Sequence, residues 1–343
     1  MQMPRNSRSP AELFKGFDAT LRHYVWDRPR AYIHVLRHKF DNLAKTNFEL
    51  GCEFASVGKW ADAVFRFRIA CYFEPGYVEA WYNLGCCYLQ LAKFDKAEAA
   101  FRQAVSLKPD YTEARFMLSG VAPDALKTNL PQHMPLAMVR GFFDSITGDY
   151  DTLAAANGYQ GPRLTAEACR PFLAATQGLH LIEFGCGTGM VAKPWRGLCR
   201  EIIGVDCTHA MVTAAQTARA GDNPAFDRVL EADVNTIAPG TFMPGAADVV
   251  LCIDTAQFLG DLAPILKTAA ASLKSGGLLA LSIEPHASPR GYAVNPATSR
   301  FGHGVEYVKS SAVAAGLAVK RDGAVPLYAT MNAHLFVFAK EAA

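Results

Sequence analysis

The stretch Leu181-Ile182-Glu183-Phe184-Gly185-Cys186-Gly187-Thr188-Gly189 joins an apolar run to an acidic residue and three alternating glycines. Twenty-three residues after Glu183, the run Ile202-Ile203-Gly204-Val205-Asp206 also ends in a carboxylate. The two runs predict neighbouring parallel strands, and the glycines predict a tight turn into a helix, where the backbone approaches a ligand. A carboxylate at the tip of the second strand is suited to accept hydrogen bonds from the hydroxyls of a ribose.

The spacing of the glycines separates this turn from a dinucleotide-binding turn. The dinucleotide motif reads G-x-G-x-x-G and holds a pyrophosphate at a helix N-terminus. Here the turn reads G-x-G-x-G and follows an acidic residue, which favours a ligand with a cationic group. Two alternatives stay open for the turn alone, an ordinary strand–helix connection and a nicotinamide site.

Two later segments continue the same pattern. Val229–Val234 predicts a third strand that ends near Asp233, and Ala247–Asp254 predicts a central strand buried on both faces. Together with the glycine turn, these segments resemble the cofactor motifs of class I S-adenosylmethionine-dependent methyltransferases. The resemblance implies S-adenosyl-L-methionine as the cofactor, bound by a doubly wound, mostly parallel, seven-stranded methyltransferase sheet.

The same resemblance implies a role for each cofactor-site residue. Glu183 is expected to bind the ammonium group or nearby turn amides, Asp206 the ribose, and Asp233 the amino group of adenine. Met211 or Val234 is expected to pack on the adenine ring. For Asp233 alone, a polar strand end or a helix cap is an equal alternative. The complete predicted set is Glu183, Gly185, Cys186, Gly187, Gly189, Asp206, Cys207, Met211, Asp233, Val234, Asp254 and Tyr150.

The candidate catalytic residues are His303 and Asp254. Methyl transfer depends mainly on holding acceptor and methyl group close and collinear. A general base contributes only when the acceptor must lose a proton. His303 ends the segment Ser299–His303, which resembles a G-R-[YF]-A-H segment of the family, and Asp254 follows the central strand. A structural histidine is the alternative for His303.

Two further segments resemble this family, a bacterial group in which tetratricopeptide repeats precede the methyltransferase domain. Phe142–Asp151 resembles the entrance segment that folds over the cofactor, which implies a lid containing Phe143 and Tyr150. Asp254–Leu262 resembles a D-x-x-x-Y-x-G-D-L stretch, with Phe258 in place of tyrosine. The remaining predicted elements are helices over 262–273 and 305–315 and strands over 278–283, 317–319 and 334–339.

Residues 44–77 and 78–111 form two copies of a 34-residue repeat. The period and the matched positions resemble the tetratricopeptide repeat, in which helix pairs pack in register. The small residues are expected to let helices approach closely, and the phenylalanines to fill the space between them. The matched pairs are Leu50 and Leu84, Gly51 and Gly85, Phe54 and Tyr88, Ala63 and Ala97, Phe67 and Phe101, Ala70 and Ala104, and Pro75 and Pro109.

The predicted domain order is a basic helical cap (1–43), the repeats with a partial third copy (44–121), a proline-containing linker (122–138) and the methyltransferase domain (139–343). The formal net charge of +2 does not favour nucleic-acid binding, and no apolar run reaches the length of a membrane span. Nine irregularly placed cysteines favour a reducing, cytoplasmic location, and no metal-ligand spacing is present.

The leading functional prediction is methyl transfer to an unidentified small-molecule or protein acceptor. The repeats are expected to bind a protein partner, to recruit the substrate, or to mediate self-association. One alternative is a scaffold protein that binds the cofactor without turnover. The other is a nicotinamide-dependent oxidoreductase, which the glycine spacing disfavours.

Overall fold

The chain forms two compact units, Met1–Pro109 and Asp110–Ala343. A computed structural model describes residues 28–126, 130–239, 241–242, 244–288 and 291–341, with only the backbone described for 28–41 and 125–126. Residues 1–27 of the predicted basic helical cap lie outside the described residues.

The described part of the first unit contains four helices that pack as two successive pairs. The first helix runs without a break across the predicted boundary between the basic cap and the repeats. The four helices are α1 (Arg28–Ser56), α2 (Trp60–Phe73), α3 (Val78–Gln90) and α4 (Phe94–Leu107).

Close glycine–phenylalanine contacts hold each pair together. A Cβ atom built on Gly51 would lie 2.7 Å from the Phe67 ring, and one on Gly85 would lie 2.5 Å from the Phe101 ring. These distances are shorter than a carbon–carbon contact allows, so a side chain at either position would push the helices apart. The prediction that these glycines permit close helix packing is confirmed.

The second unit is built around a seven-stranded sheet in the order β10-β11-β7-β6-β1-β2-β5. Strand β11 runs antiparallel to both neighbours, and the other neighbouring pairs are parallel. The sheet strands are β1 (Leu179–Phe184), β2 (Cys199–Asp206), β5 (Arg228–Glu231), β6 (Ala247–Cys252), β7 (Leu273–Ile283), β10 (Leu317–Tyr328) and β11 (Met331–Lys340). The predicted doubly wound, mostly parallel sheet is confirmed.

Helices and two small hairpins surround this sheet. The hairpins pair β3 (Arg219–Ala220) with β4 (Asn223–Pro224), and β8 (Tyr292–Asn295) with β9 (Arg300–His303). The helices are α5 (Thr112–Val121), α6 (Leu136–Ile146), α7 (Tyr150–Ala156), α8 (Gly161–Cys169), α9 (His209–Thr217), α10 (Ala263–Ser272) and α11 (Val305–Ala314).

The strand register brings the acidic strand ends to one edge of the sheet. Glu183 on β1 lies opposite Gly204 on β2 and Leu251 on β6. Because these strands are parallel, Asp206 and Asp254 leave the sheet at the same edge as Glu183. Every residue of β6 is buried, as expected for a central strand covered on both faces.

One local prediction is wrong: no α-helix follows the glycine turn. The fully described stretch between β1 and β2 forms turns and one short 3₁₀ helix, Lys193–Trp195. Pro194 disfavours helical geometry at the preceding residue, and Gly197 ends the segment. The ligand-facing turn is therefore not the N-terminus of an α-helix.

Helix α5, predicted as the start of a third repeat, belongs to the second unit. Phe116 on α5 is fully buried, and its ring contacts the Phe301 ring on β9 at a centroid distance of 5.4 Å. The apolar side of α5 therefore packs on the β8–β9 hairpin, which the sequence did not predict.

The described residues include no membrane-spanning helix and no cluster of metal-ligating side chains. None of the described helices combines the length and the hydropathy needed to cross a bilayer. No group of three or more His, Cys, Asp or Glu side chains within the described ranges is placed to hold a metal ion. All nine cysteines are free thiols.

Candidate functional site

A cavity of about 910 Å³ lies at the edge of the sheet where β1, β2 and β6 end, and we call it the cofactor cavity. All predicted cofactor-binding residues line it except Gly189. Residues that the sequence did not assign to the cofactor also line it, among them His133, Met134, Phe143, Tyr159, Thr188, Val191, Ile253, Thr255 and Phe258.

The three glycines of the turn have different surroundings. All three have positive φ angles: 67° at Gly185, 50° at Gly187 and 85° at Gly189. A Cβ on Gly185 would collide with the Thr255 side chain at 2.2 Å, whereas a Cβ on Gly187 would meet only Met211 Sδ, at 4.0 Å. Gly187 therefore presents bare backbone to open space.

Gly189 is a packing glycine rather than a cavity residue. A Cβ at this position would lie 2.6 Å from the Phe226 ring. Phe226 is buried in the cluster on one face of the sheet. The structure therefore does not bring Gly189 to the predicted cofactor site, although the turn requires glycine there.

Glu183 is a buried carboxyl group in the wall of the cofactor cavity. The side chain is 2% exposed, and its Oε2 atom has no hydrogen-bond partner among the described residues. Burial, reinforced by the nearby charge of Asp206, raises the pKa of Glu183 well above its usual range. A cationic group in the cavity would supply the missing partner and favour the ionised carboxylate.

Asp206 connects the tip of β2 to the glycine turn. Its Oδ2 atom accepts a hydrogen bond from the Gly187 N–H at 3.0 Å, and its Oδ1 atom accepts from the N–H and the hydroxyl of Thr208, both at 2.9 Å. Burial raises the pKa of Asp206, and these hydrogen bonds oppose the shift. Oδ2 keeps a second lone pair for a ligand hydroxyl.

Asp233 follows β5 and Asp254 follows β6. The two residues therefore lie at opposite ends of the part of the sheet edge that lines the cavity. Its Oδ1 atom accepts from the Asn235 backbone N–H at 2.9 Å and from the Asn235 side-chain amide at 3.1 Å. Val234 and Met211 are buried apolar neighbours in the same lining. This corner therefore combines an acceptor with apolar surface, as a purine ring requires.

Asp254 is held in an unusual backbone conformation at the end of β6. Its φ angle is 56°, in the left-handed region that residues other than glycine adopt uncommonly. The backbone N–H donates to Ser282 Oγ at 2.8 Å, and Tyr328 donates its hydroxyl proton to Asp254 Oδ2 at 2.6 Å. Burial raises the pKa of Asp254, whereas the Tyr328 hydrogen bond and the Arg300 charge lower it.

Three tyrosines surround Asp254. The rings of Tyr159 and Tyr328 lie 4.9 Å apart, and Tyr150 lines the cavity beside them. Burial raises the pKa of all three phenols, and the Asp254 charge adds to each shift. The phenols are therefore neutral hydrogen-bond donors at neutral pH. Of the three, the sequence analysis identified only Tyr150.

His303 does not reach the cofactor cavity. It is fully buried, and its Nε2–H donates to the Leu259 carbonyl oxygen at 2.8 Å. Burial lowers the pKa of His303 to about 4, so the ring is neutral at pH 7. This geometry does not support the prediction that His303 acts as a general base, and it favours the structural alternative.

Arg300, in the same segment as His303, contacts residues near the cofactor cavity. The Arg300 guanidinium donates to Gln257 Oε1 at 3.2 Å and lies 5.9 Å from the centroid of the Phe258 ring. Phe258 in turn contacts Phe143 of the predicted lid at a centroid distance of 5.4 Å. The sequence prediction did not single out Arg300, because its contacts with Gln257 and Phe258 are distant in sequence.

Helix α7 is attached to the glycine turn by polar contacts. The Thr188 hydroxyl donates to the Asp151 carboxylate, and Lys193 Nζ lies 3.3 Å from the other oxygen of that carboxylate. Tyr150, at the first position of the same helix, is thereby held against the cavity. The predicted lid therefore contacts the turn directly.

Comparisons with known proteins agree with this architecture. Residues 182–281 match the methyltransferase domain family, and residues 78–111 match the tetratricopeptide repeat family. The second unit therefore contains a class I S-adenosylmethionine-dependent methyltransferase domain, as the sequence resemblance implied.

Curated relatives include ubiquinone biosynthesis O-methyltransferases from Nitrobacter winogradskyi, 29% identical over 125 residues, and Bradyrhizobium diazoefficiens, 31% identical over 121 residues. Each alignment covers 34% of this chain, with 44% and 46% of the respective relatives. The chain thus spans about half the length of the curated relatives that it matches.

Among solved structures, magnesium protoporphyrin IX methyltransferase from Synechocystis PCC 6803 with bound S-adenosylhomocysteine is 17% identical. That match covers 60% of this chain and 99% of the other, with a TM-score of 0.46. The chain therefore combines a region that matches the methyltransferase domain family with a region that matches the tetratricopeptide repeat.

Proposed function

We propose that this protein transfers a methyl group from S-adenosylmethionine to an oxygen atom of an acceptor molecule. The observation that carries the proposal is the buried Glu183 Oε2 atom, which has no hydrogen-bond partner among the described residues and lines the same cavity as the open backbone at Gly187. A ligand that has an ammonium group and fits against bare backbone matches both features.

The residues of the cavity fit this cofactor along its whole length. Glu183 accepts hydrogen bonds from the ammonium group, and Asp206 accepts from the ribose hydroxyls with its remaining lone pair. Asp233 accepts from the amino group of adenine, with Met211 and Val234 packed against the ring. When bound, the cofactor supplies an electrophilic methyl group on a sulfonium.

The chain's own contribution to the chemistry is to bind, orient and exclude water. Phe143 and Tyr150 cover the cavity, and the Asp151–Thr188 contact fixes this cover to the glycine turn. Holding the acceptor in line with the methyl group contributes up to roughly 7–11 kcal/mol in favourable intramolecular cases.

The names of the curated relatives support oxygen as the atom that is methylated. The tetratricopeptide repeat supports a protein partner or self-association, through which a substrate is recruited.

We place the reaction in the cytoplasm because all nine cysteines are free thiols, as expected in a reducing compartment.

Isothermal calorimetry on the full chain tests the proposal. S-adenosylmethionine and S-adenosylhomocysteine are expected to bind with micromolar affinity, whereas NADH is not. Glu183→Gln is expected to weaken S-adenosylmethionine binding, while Glu167→Gln, in an exposed pair with Arg163, leaves it unchanged. Tight NADH binding without S-adenosylmethionine binding would refute the proposal.

A further inference from the structure

A second cavity of about 1010 Å³ adjoins the cofactor cavity, and we call it the acceptor pocket. The two cavities share four lining residues: Phe143, Tyr150, Asp254 and Phe258. The pocket is open to solvent on one side, and helices α6 and α7, the end of β6 and the β10–β11 turn contribute to its lining. The two cavities therefore meet at these four side chains.

The lining of the acceptor pocket is mostly aromatic. Five aromatic rings lie around it, together with the apolar side chains of Ile146, Leu153 and Met331. Several of these rings already pack edge to face, including Phe142 against Phe143 with a centroid distance of 5.1 Å. Such a lining favours a planar ring, which gains edge-to-face and offset contacts beyond the burial of apolar area.

The acceptor pocket has two charged side chains of opposite sign, Asp254 and Arg300. The Asp254 carboxylate accepts a hydrogen bond from the Tyr328 hydroxyl at Oδ2, and its two oxygens have further lone pairs that a ligand hydroxyl can use. Arg300 lines the same pocket and forms no ion pair with any described residue. A guanidinium over an aromatic ring, in a partly buried position, is suited to bind a carboxylate.

We propose that this pocket binds the methyl acceptor, a small aromatic ring with a hydroxyl group and a carboxylate, with Asp254 as the base for the hydroxyl and Arg300 as the partner of the carboxylate. The proposal rests on the methyltransferase function and specifies its acceptor. Tyr328 is a positioning residue, because it orients Asp254 rather than the substrate.

The proposed step is balanced. The acceptor oxygen forms a bond to the methyl carbon while the bond from that carbon to sulfur breaks, and the electron pair stays on sulfur. The hydroxyl proton passes to Asp254. No metal, oxidant or reductant is needed.

Binding of a probe acceptor tests the class of ligand. With the full chain saturated by S-adenosylhomocysteine, 3,4-dihydroxybenzoate is expected to bind at least tenfold more tightly than its methyl ester or 3,4-dihydroxycyclohexanecarboxylate. Equal binding of either analogue overturns the proposal. If S-adenosylhomocysteine binds and the aromatic acid does not, the pocket assignment fails while the proposed function stands; if neither binds, the proposed function fails.

Variants locate the binding site. Arg300→Gln is expected to remove the preference for the acid over the ester, whereas Arg163→Gln, on the surface of α8, retains it. Leu153→Trp, at the half-exposed rim of the pocket, is expected to weaken acceptor binding at least tenfold without affecting S-adenosylhomocysteine. Unchanged acceptor affinity in Leu153→Trp would place the acceptor elsewhere.

The base is tested by Asp254→Asn, which keeps the shape of the side chain and tolerates the positive φ angle. Turnover of the probe is expected to fall by about 10²–10⁴-fold with little change in acceptor affinity. The pKa of Asp254 depends on the charged and hydrogen-bonding groups that face it, which are Tyr328, Arg300, Gln257, Glu284, Tyr150 and Tyr159.

The pH profile separates a base from a structural role. Burial raises the pKa of Asp254, so the wild-type rate of methyl transfer is expected to rise with pH as Asp254 loses its proton and then to level off. The rate of the Asp254→Asn variant is expected to be independent of pH over the same range. Tyr328→Phe is expected to shift the profile and keep the rise. Wild-type turnover or an unchanged profile in Asp254→Asn would overturn the assignment.

Discussion

The two units use glycine for opposite purposes. In the repeat unit, the space in front of Gly51 and Gly85 is filled by the chain's own phenylalanine rings. In the methyltransferase unit, the space in front of Gly187 is an open cavity. The comparison shows that a recurrent glycine indicates close approach, while the neighbouring atoms decide whether the approaching group is protein or ligand.

The largest expected effect is a loss of stability in the Phe116→Ala variant, which tests whether α5 belongs to the second unit. Phe116→Ala removes a fully buried ring from the contact between α5 and the β8–β9 hairpin. Its loss is expected to destabilise the second unit by about 3–5 kcal/mol. Phe65→Ala, at a side chain 59% exposed in the first unit, is the matched control and is expected to change little.

Chemical denaturation monitored separately in each unit measures this effect. Hydrogen exchange of sheet amides reports on the second unit, and exchange of α2–α4 amides reports on the first. If Phe116→Ala destabilised only the helices of the first unit, α5 would belong with the repeats, as the sequence predicted.

Gly85→Ala tests the packing glycine. The new methyl group would lie 2.5 Å from the Phe101 ring, so the helices must shift. Such overpacking is expected to cost about 1–3 kcal/mol of stability in the first unit and to leave S-adenosylmethionine binding unchanged. Gly76→Ala meets no atom within 4 Å and serves as the control. Equal melting temperatures for the two variants would contradict this account of the repeats.

Gly187→Ala tests the ligand glycine. The positive φ angle costs roughly 1–2 kcal/mol for any substitution, so a control with the same cost is needed. Gly178→Ala provides it, because its φ is 73° and no atom lies within 4 Å. Both variants are expected to lose similar stability, and only Gly187→Ala is expected to lose about tenfold or more in S-adenosylmethionine affinity, or about 1.4 kcal/mol. Equal affinities would mean that Gly187 serves only the turn.

The sequence predicted the sheet and most of the cofactor cavity because those features depend on local patterns. The apolar runs, the glycine turn and the acidic strand ends are contiguous, and parallel strands bring their ends to one edge. Asp206 and Glu183 are therefore predictable from neighbouring residues alone.

The remaining site residues depend on contacts between distant segments. Tyr328 reaches Asp254 across 74 positions, and Arg300 reaches Gln257 across 43. His303 illustrates the same limit, since a loop histidine and a buried core histidine have the same local sequence. Helix α5 follows the repeat pattern in sequence, but its apolar face packs on the β8–β9 hairpin, and no local sequence pattern predicts that contact.

The smallest expected effect is the pH dependence that Glu183 confers. Burial raises the pKa of Glu183 in the folded protein above its unfolded value. Its contribution to stability is therefore complete below the unfolded pKa and is lost as the pH rises through the folded pKa. Glu183→Gln is expected to remove this decline, which is at most about 1.4 kcal/mol per pH unit for one proton.

The affinity for S-adenosylmethionine is expected to change with pH in the opposite direction to the stability of the free protein. An ammonium group beside Glu183 favours the ionised carboxylate, so wild-type affinity for S-adenosylmethionine is expected to rise with pH and binding to release a proton. Calorimetry in buffers of different ionisation enthalpy measures that proton. Glu167→Gln is expected to retain it and Glu183→Gln to lose it. If proton release persisted in Glu183→Gln, the ammonium group would have another partner, and the buried carboxyl would belong to the fold, like Gly85, rather than to the ligand.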